Sequence, residues 1–147
     1  MKTVSLLLAG VLCTGFLTAT AADKVEAGPK GGRLLERTNP NAEFFIEKDR
    51  TISINFYDAA GKVVTPTDQS VTVIADSKDG KDGKQKIEFE KKGDALVSKT
   101  KLPAGDANNV VVQLKQTADA KPQNFRFKAD LKTCGGCKRA EYACACH

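Results

Sequence analysis

Apolar and polar residues alternate along most of this chain in short runs with a period of two. The cleanest run is Thr51-Ile52-Ser53-Ile54-Asn55-Phe56-Tyr57, in which Ile52, Ile54 and Phe56 fall on one face of an extended strand. Asp58-Ala59-Ala60-Gly61-Lys62 follows as a turn and Val63-Val64-Thr65 leads away from it, a hairpin signature. Val71-Thr72-Val73-Ile74-Ala75 predicts another strand. Lys86-Ile87-Glu88-Phe89-Glu90 and Ala95-Leu96-Val97-Ser98 predict two more, joined through Lys92-Gly93-Asp94. Leu102-Pro103-Ala104-Gly105-Asp106 breaks the chain. Beyond it, Val110, Val112 and Leu114 share one face, and so do Phe125, Phe127 and Ala129. Upstream, Arg33-Leu34-Leu35-Glu36 suits a short edge strand and Ala42-Glu43-Phe44-Phe45-Ile46-Glu47 a half-buried one.

These short strands lie between turn signals, without a long helix. They predict an all-β fold: an antiparallel β-sandwich of seven or eight strands, Ig-like or fibronectin-like in architecture. The predicted core is Ile52, Ile54, Phe56, Val71, Val73, Ile87, Phe89, Val110, Val112, Phe125 and Phe127, since alternating apolar residues on one face are core residues first. Neither a repeat nor a phosphate-cradling loop is visible. Gly31-Gly32 lacks the strand-then-helix context such a loop needs.

The length of 147 residues is that of one ordinary domain. One segment departs from the β pattern through its composition. Met1-Lys2 is followed by an apolar stretch containing Val4, Leu6, Leu7, Leu8, Val11, Leu12, Phe16 and Leu17, then by the small residues Ala19-Thr20-Ala21. This is the layout of a secretory signal (residues 1–21), with cleavage expected after Ala21 or Ala22 and no stable membrane insertion thereafter. Leu12 stands before Cys13, which argues against lipidation there, and Cys13 leaves with the signal. Residues 22–32 are expected to be a flexible arm, residues 33–131 the sandwich and residues 132–147 a cysteine-rich tail. A periplasmic or secreted location follows from the signal.

The formal net charge is +5, with acids interleaved among the bases as in Lys78-Asp79 and Lys81-Asp82. That pattern describes a solvated surface and gives no nucleic-acid footprint. The single histidine, His147, stands last in the sequence, so multi-histidine metal centres and histidine-based nucleophilic catalysis are not expected. No paired carboxylates or cofactor loop point to an enzyme.

The candidate chemistry is concentrated in the tail, where Cys134, Cys137, Cys144, Cys146 and His147 follow a C-x2-C-x6-C-x-C-H spacing. One reading is a metal site. The glycines between Cys134 and Cys137 let two sulfurs converge on one ion, Cys144 and Cys146 supply a second pair, and His147 is an accessory ligand. Thiolate-rich sets favour zinc or copper, and Lys132, Lys138 and Arg139 would favour the thiolates by lowering their pKa. A second reading pairs the four cysteines in two disulfides, as in many exported proteins, leaving a structural or interaction module of the envelope. A third is thiol exchange through the C-x-x-C, which usually opens a helix after a strand in a βαβ fold not predicted here. If residues 137–144 were one helix, Cys137 and Cys144 would sit about 10 Å apart, beyond the Cα reach of a disulfide at about 7 Å. A common site therefore requires any helix to end before Cys144. Tyr142 is expected to pack the tail on the sheet.

Gly28-Pro29-Lys30-Gly31-Gly32-Arg33-Leu34-Leu35 resembles the Gly-Pro-x-Gly-Gly-Arg-Leu stretch near the N-terminus of periplasmic adaptor subunits of heavy-metal efflux systems. It is also similar to the opening of small exported bacterial β-sandwich proteins. Ala42-Glu43-Phe44-Phe45, Gly61-Lys62-Val63-Val64 and the tail around Glu141-Tyr142-Ala143-Cys144 match the latter too. The resemblance implies an exported protein that handles a metal ion, with an envelope or efflux protein as partner. The adaptors often carry His around this opening. Here position 30 is Lys30 and no His is near, which leaves the tail as the metal candidate. The chain is too short for the helical hairpin and lipoyl-like domains of a complete adaptor.

Overall fold

The structure, a computed structural model, describes residues 24–35, 38–77 and 83–146. The expected signal segment, its cleavage point and His147 lie outside the described residues. Within them, nine strands run in the order β1 (Arg33–Leu35), β2 (Asn41–Ile46), β3 (Ile52–Tyr57), β4 (Val63–Val64), β5 (Ser70–Ser77), β6 (Lys84–Lys92), β7 (Ala95–Ser98), β8 (Ala107–Lys115) and β9 (Gln123–Asp130). A single 3-10 turn, Glu141–Ala143, follows. No helix among the described residues is long and apolar enough to cross a membrane.

Every pairing is antiparallel, and the hydrogen-bonded path is β1-β2-β3-β7-β6-β5-β8-β9, with β4 added on the side of β3. Local turns set much of this order. Lys92 and Ala95 pair directly, and the two-residue connection begins with Gly93 at φ 61, the position where a tight hairpin demands a positive φ. Between β3 and β4, Asp58 Oδ1 accepts from the N–H groups of Ala60 and Lys62 at 2.8 and 2.9 Å. The β2–β3 turn is held to the loop before β8 by Arg50. Its guanidinium donates to the carbonyl oxygens of Leu102 and Gly105 at 3.0 Å each, and to that of Pro103.

The all-β antiparallel expectation holds. The Ig-like sandwich is not confirmed, because the strands do not part into two separate sheets. Residues Lys84–Glu88 of β6 pair with β5 while Phe89–Lys92 pair with β7, so this one strand belongs to both halves and turns the corner between them. The sheet is thereby curled nearly into a barrel. At the seam its two ends meet through side chains: the rings of Phe44 (β2) and Phe127 (β9) contact edge to face at 5.2 Å, and the Arg33 guanidinium lies 4.6 Å from the Phe127 ring centroid.

The core matches the period-two pattern closely. Phe44, Ile52, Ile54, Phe56, Val73, Ile87 and Val112 are fully buried, with Val71 and Val110 nearly so. Phe89, Phe125 and Phe127 are only partly buried, packed at its margin. Full burial of each such side chain contributes about 1.5–3 kcal/mol of transfer free energy.

Two features depart from the pattern. Ser53, Asn55 and Tyr57, on the opposite face of β3, are also buried. So is Glu43 on β2, whose register partner is Asn55. For Glu43 and Tyr57 the reason lies in the segment read as a flexible arm, part of which is folded back as a tight turn. Gly31 N–H donates to Gly28 O and Gly28 N–H to Gly32 O, both at 2.9 Å, and Leu34 N–H donates to Glu26 O. The Glu43 carboxylate clamps this turn. It accepts from Gly32 N–H at 2.7 Å, Lys30 N–H at 3.2 Å and the Tyr57 hydroxyl at 2.7 Å. A side chain at Gly28 would run into Glu43, and one at Gly32 into the Phe44 carbonyl oxygen. The glycine-rich opening is therefore a close-approach motif.

Candidate metal centre

The tail leaves β9 at Asp130 and is fastened at once. Leu131 N–H donates to Asp106 O at 2.8 Å, and Lys132 N–H donates to Asp130 Oδ1 at 3.1 Å. That backbone donor, followed by Lys128, holds the Asp130 carboxyl below its ordinary value. Residues 132–141 then form a narrow loop. Glu141 N–H donates to Lys132 O, Thr133 bridges Ala140, Cys134 N–H donates to Arg139 O at 2.7 Å, and Lys138 N–H returns to Cys134 O at 3.1 Å. Lys138 adopts φ 60, which reverses the chain after Cys137. Gly135 and Gly136 occupy the tip, where small residues let the backbone fold tightly around the first sulfur.

The 3-10 turn Glu141–Ala143 comes next and stops at Cys144, whose backbone is extended at φ −79, ψ 126. The requirement that no helix run through to Cys144 is thus met. Ala143 N–H bonds to Ala140 O, three residues back, so the chain makes a single tight turn. The turn is anchored on the barrel through Tyr142, which is 4% exposed. Its hydroxyl accepts the Ile46 N–H at 3.0 Å, and its ring meets Phe44 edge to face at 6.0 Å. Ile46 lies on β2 beyond the reach of β1, whose last partner on that strand is Phe44. Tyr142 therefore extends the cover of the β2 edge, and the turn packs against both β1 and β9 at the seam. The expected packing role of Tyr142 holds.

This docking brings the four sulfurs together. Cys144 Sγ lies 2.9 Å from Cys134 Sγ and 3.5 Å from Cys137 Sγ, and Cys146 N–H points at Cys144 Sγ at 3.4 Å. All four Sγ atoms lie within 4.8 Å of one another. All four are free thiols, and no pair approaches the ~2.05 Å of a disulfide bond. Cys134 and Cys144 are buried, Cys137 is half-buried and Cys146 is exposed.

The thiols differ in acidity. Cys134 is pulled below its ordinary value, first by the Cys144 thiol and then by the backbone N–H groups of Cys137 and Gly136. Cys137 is lowered to about 7, chiefly by the Arg139 N–H. Cys144 is raised to about 12 because its proton is shared with Cys134, and Cys146 is raised by its contact with Cys137. The sulfur–sulfur and backbone contacts thus shift the first pair toward the thiolate and the second toward the thiol, and a cation binding all four would displace their protons. The sequence had assigned the acidifying role to Lys132, Lys138 and Arg139. Backbone N–H groups and neighbouring thiols perform it instead, and the Lys138 ammonium caps Gly135 O at 2.9 Å.

Sequence reasoning missed Glu43 and the turn it holds. The only available signal was a carboxylate inside an otherwise apolar run, Ala42-Glu43-Phe44-Phe45. That turn borders the site, since a side chain on Gly31 would come 4.0 Å from Arg139 Nε. The described residues thus define an antiparallel all-β protein with a tetra-cysteine cluster at the seam of its sheet. Compared with known proteins, the chain matches no family model, no curated protein and no solved structure.

Proposed function

We propose that this protein binds one soft or borderline metal ion, zinc before copper, through Cys134, Cys137, Cys144 and Cys146, and sequesters or delivers it in the cell envelope. One observation carries the reading: four thiols from two separate tail segments converge within 4.8 Å without pairing as disulfides. A tetrahedral set of thiolates at a zinc–sulfur distance of about 2.3 Å has its sulfurs ~3.8 Å apart. The cluster already has that scale. Tetrahedral all-sulfur donor sets suit zinc, with Cu(I) as the soft alternative. Four thiolates fill the shell, which leaves His147 an accessory role.

The secretory layout of residues 1–21 and the efflux-adaptor-like opening at Gly28-Pro29-Lys30-Gly31-Gly32 support export and metal handling beside an envelope partner. Binding, without catalysis, is the proposed activity.

The test is a native mass of the protein isolated from its own compartment, with thiols counted before and after chelation. One bound metal per chain, with free thiols appearing only on chelation, is the expected result. A metal-free mass lighter by two hydrogens per bridge, with no free thiol, would refute the reading and leave a disulfide-stapled interaction module.

A further inference from the structure

The four candidate ligands are unequal in position, and the inequality bears on how a metal would leave. Cys134 and Cys144 are 4% and 2% exposed; the chain before Cys134 is tied down by Leu131 N–H donating to Asp106 O, and the turn before Cys144 by Ile46 N–H donating to the Tyr142 hydroxyl. Cys146 is exposed, and no 3-10 turn or strand encloses it. The glycine tip decides what covers the sulfurs on that side. A Cβ built at Gly136 would stand 3.3 Å from Cys146 Sγ and 3.9 Å from Cys134 Sγ, whereas one at Gly135 would meet nothing within 4 Å. A side chain at position 136 would press against Cys146 Sγ, so glycine there leaves the outer side of this exposed sulfur uncovered. Neither glycine has a positive φ, so the backbone conformation does not itself require glycine there. Lys138 Nζ donates to Gly135 O and brings a positive charge to the glycine tip of the loop.

We propose that Cys146 is the exchange ligand of the cluster, and that the thiolate of a thiol-bearing metal acceptor approaches on the side of Cys146 that Gly136 leaves uncovered. This rests on the metal-binding reading above and adds a route of transfer to it. An incoming thiolate would bond to the ion from that side as the bond from the ion to Cys146 Sγ breaks. Cys146 then takes up the proton that the acceptor thiol gave up. The charge on the ion is unchanged and no electron is transferred. Cys137 and the two buried cysteines hold the ion until further acceptor thiolates replace them in turn. Cys146 yields first because it is the exposed one of the four and lies beyond the docked turn at Tyr142.

The experiment uses the full chain loaded with Zn2+, dithiothreitol as the accepting dithiol, and an indicator dye reporting the zinc removed. The expected release rate rises in proportion to dithiothreitol. Gly136→Ala, whose methyl covers that side of Cys146 Sγ, slows it at least about tenfold, equivalent to ~1.4 kcal/mol of barrier. Gly135→Ala leaves the rate unchanged. Cys146→Ser still takes up one zinc and releases it faster, whereas Cys144→Ser does not retain one equivalent. A loaded chain whose release is independent of dithiothreitol, or in which the two glycine variants behave alike, overturns the exchange route while leaving metal binding intact. Equal behaviour of Cys144→Ser and Cys146→Ser also overturns it. A chain that takes up no zinc at all overturns the reading beneath.

Discussion

Replacing Tyr142 by Phe isolates the bond that docks the tail. The ring stays, and with it the edge-on contact to Phe44 at 6.0 Å. Only the hydroxyl that accepts the Ile46 N–H at 3.0 Å is lost. Ile46 is 9% exposed, so its amide gains little from water in exchange. Leaving a buried donor unpaired costs about 1–3 kcal/mol. At roughly 4 °C per kcal/mol, where the ranges for smaller and larger domains meet, melting should fall by about 4–12 °C. Urea titration should show a lower midpoint at constant m, because the surface exposed on unfolding hardly changes. Amide hydrogen exchange supplies the local readout: Ile46 should lose protection even if the barrel strands keep theirs. Tyr142→Ala removes the ring as well and should cost ~3–5 kcal/mol, the range for deleting a buried aromatic. A Tyr142→Phe chain that melts within about 1 °C of the parent, well below one buried hydrogen bond, and still protects the Ile46 amide would refute the claim that this hydroxyl fastens the seam.

Other outcomes follow from the same geometry. Gly32→Ala should destabilise by ~1–3 kcal/mol in denaturant titration, since the added methyl meets the Phe44 carbonyl; an unchanged midpoint would mean that the Gly-rich turn is loosely held. The sequence has two tyrosines and no tryptophan. Burial, the largest cause for both, raises Tyr142 to about 12 and Tyr57 well above its ordinary value, with Glu43 adding to the latter. The folded chain thus keeps protons that the unfolded chain releases above about pH 10, so stability should fall as pH rises past that point. Tyrosinate absorbance should then appear only together with loss of the fold; two ordinary titrations near pH 10 in a still-folded chain would contradict it. Zn2+ at a hundred times its dissociation constant should stabilise the reduced protein by ~2.7 kcal/mol. The same addition should leave Cys134→Ser close to its metal-free melting temperature, and equal stabilisation of both chains would place the ion elsewhere.

The sequence by itself determined what depends on neighbours along the chain. Alternation in Ile52-Ser53-Ile54-Asn55-Phe56 marks a strand because side chains on an extended backbone point to opposite faces in turn. Gly93 and Asp58 mark turns because φ and short side-chain hydrogen bonds are local properties. The spacing of Cys134, Cys137, Cys144 and Cys146 marked the four candidate sulfur ligands, together with the condition that no helix span them. Only the tertiary structure decided how those pieces meet. Alternation assigns the second face of β3 to solvent, yet Tyr57 is buried there with its hydroxyl donating to Glu43, which also holds the turn at Gly28–Gly32, contacts that reach 11 to 14 residues along the chain. No local signal tells β6 to divide its pairing between β5 and β7, and that division is what curls the sheet instead of splitting it. The cysteines converge because Tyr142 reaches an amide 96 residues away. A chain's own pattern sets which face each residue can offer, but contacts at that separation depend on where the whole sheet brings its edges, and so they exist only once the sheet has curled.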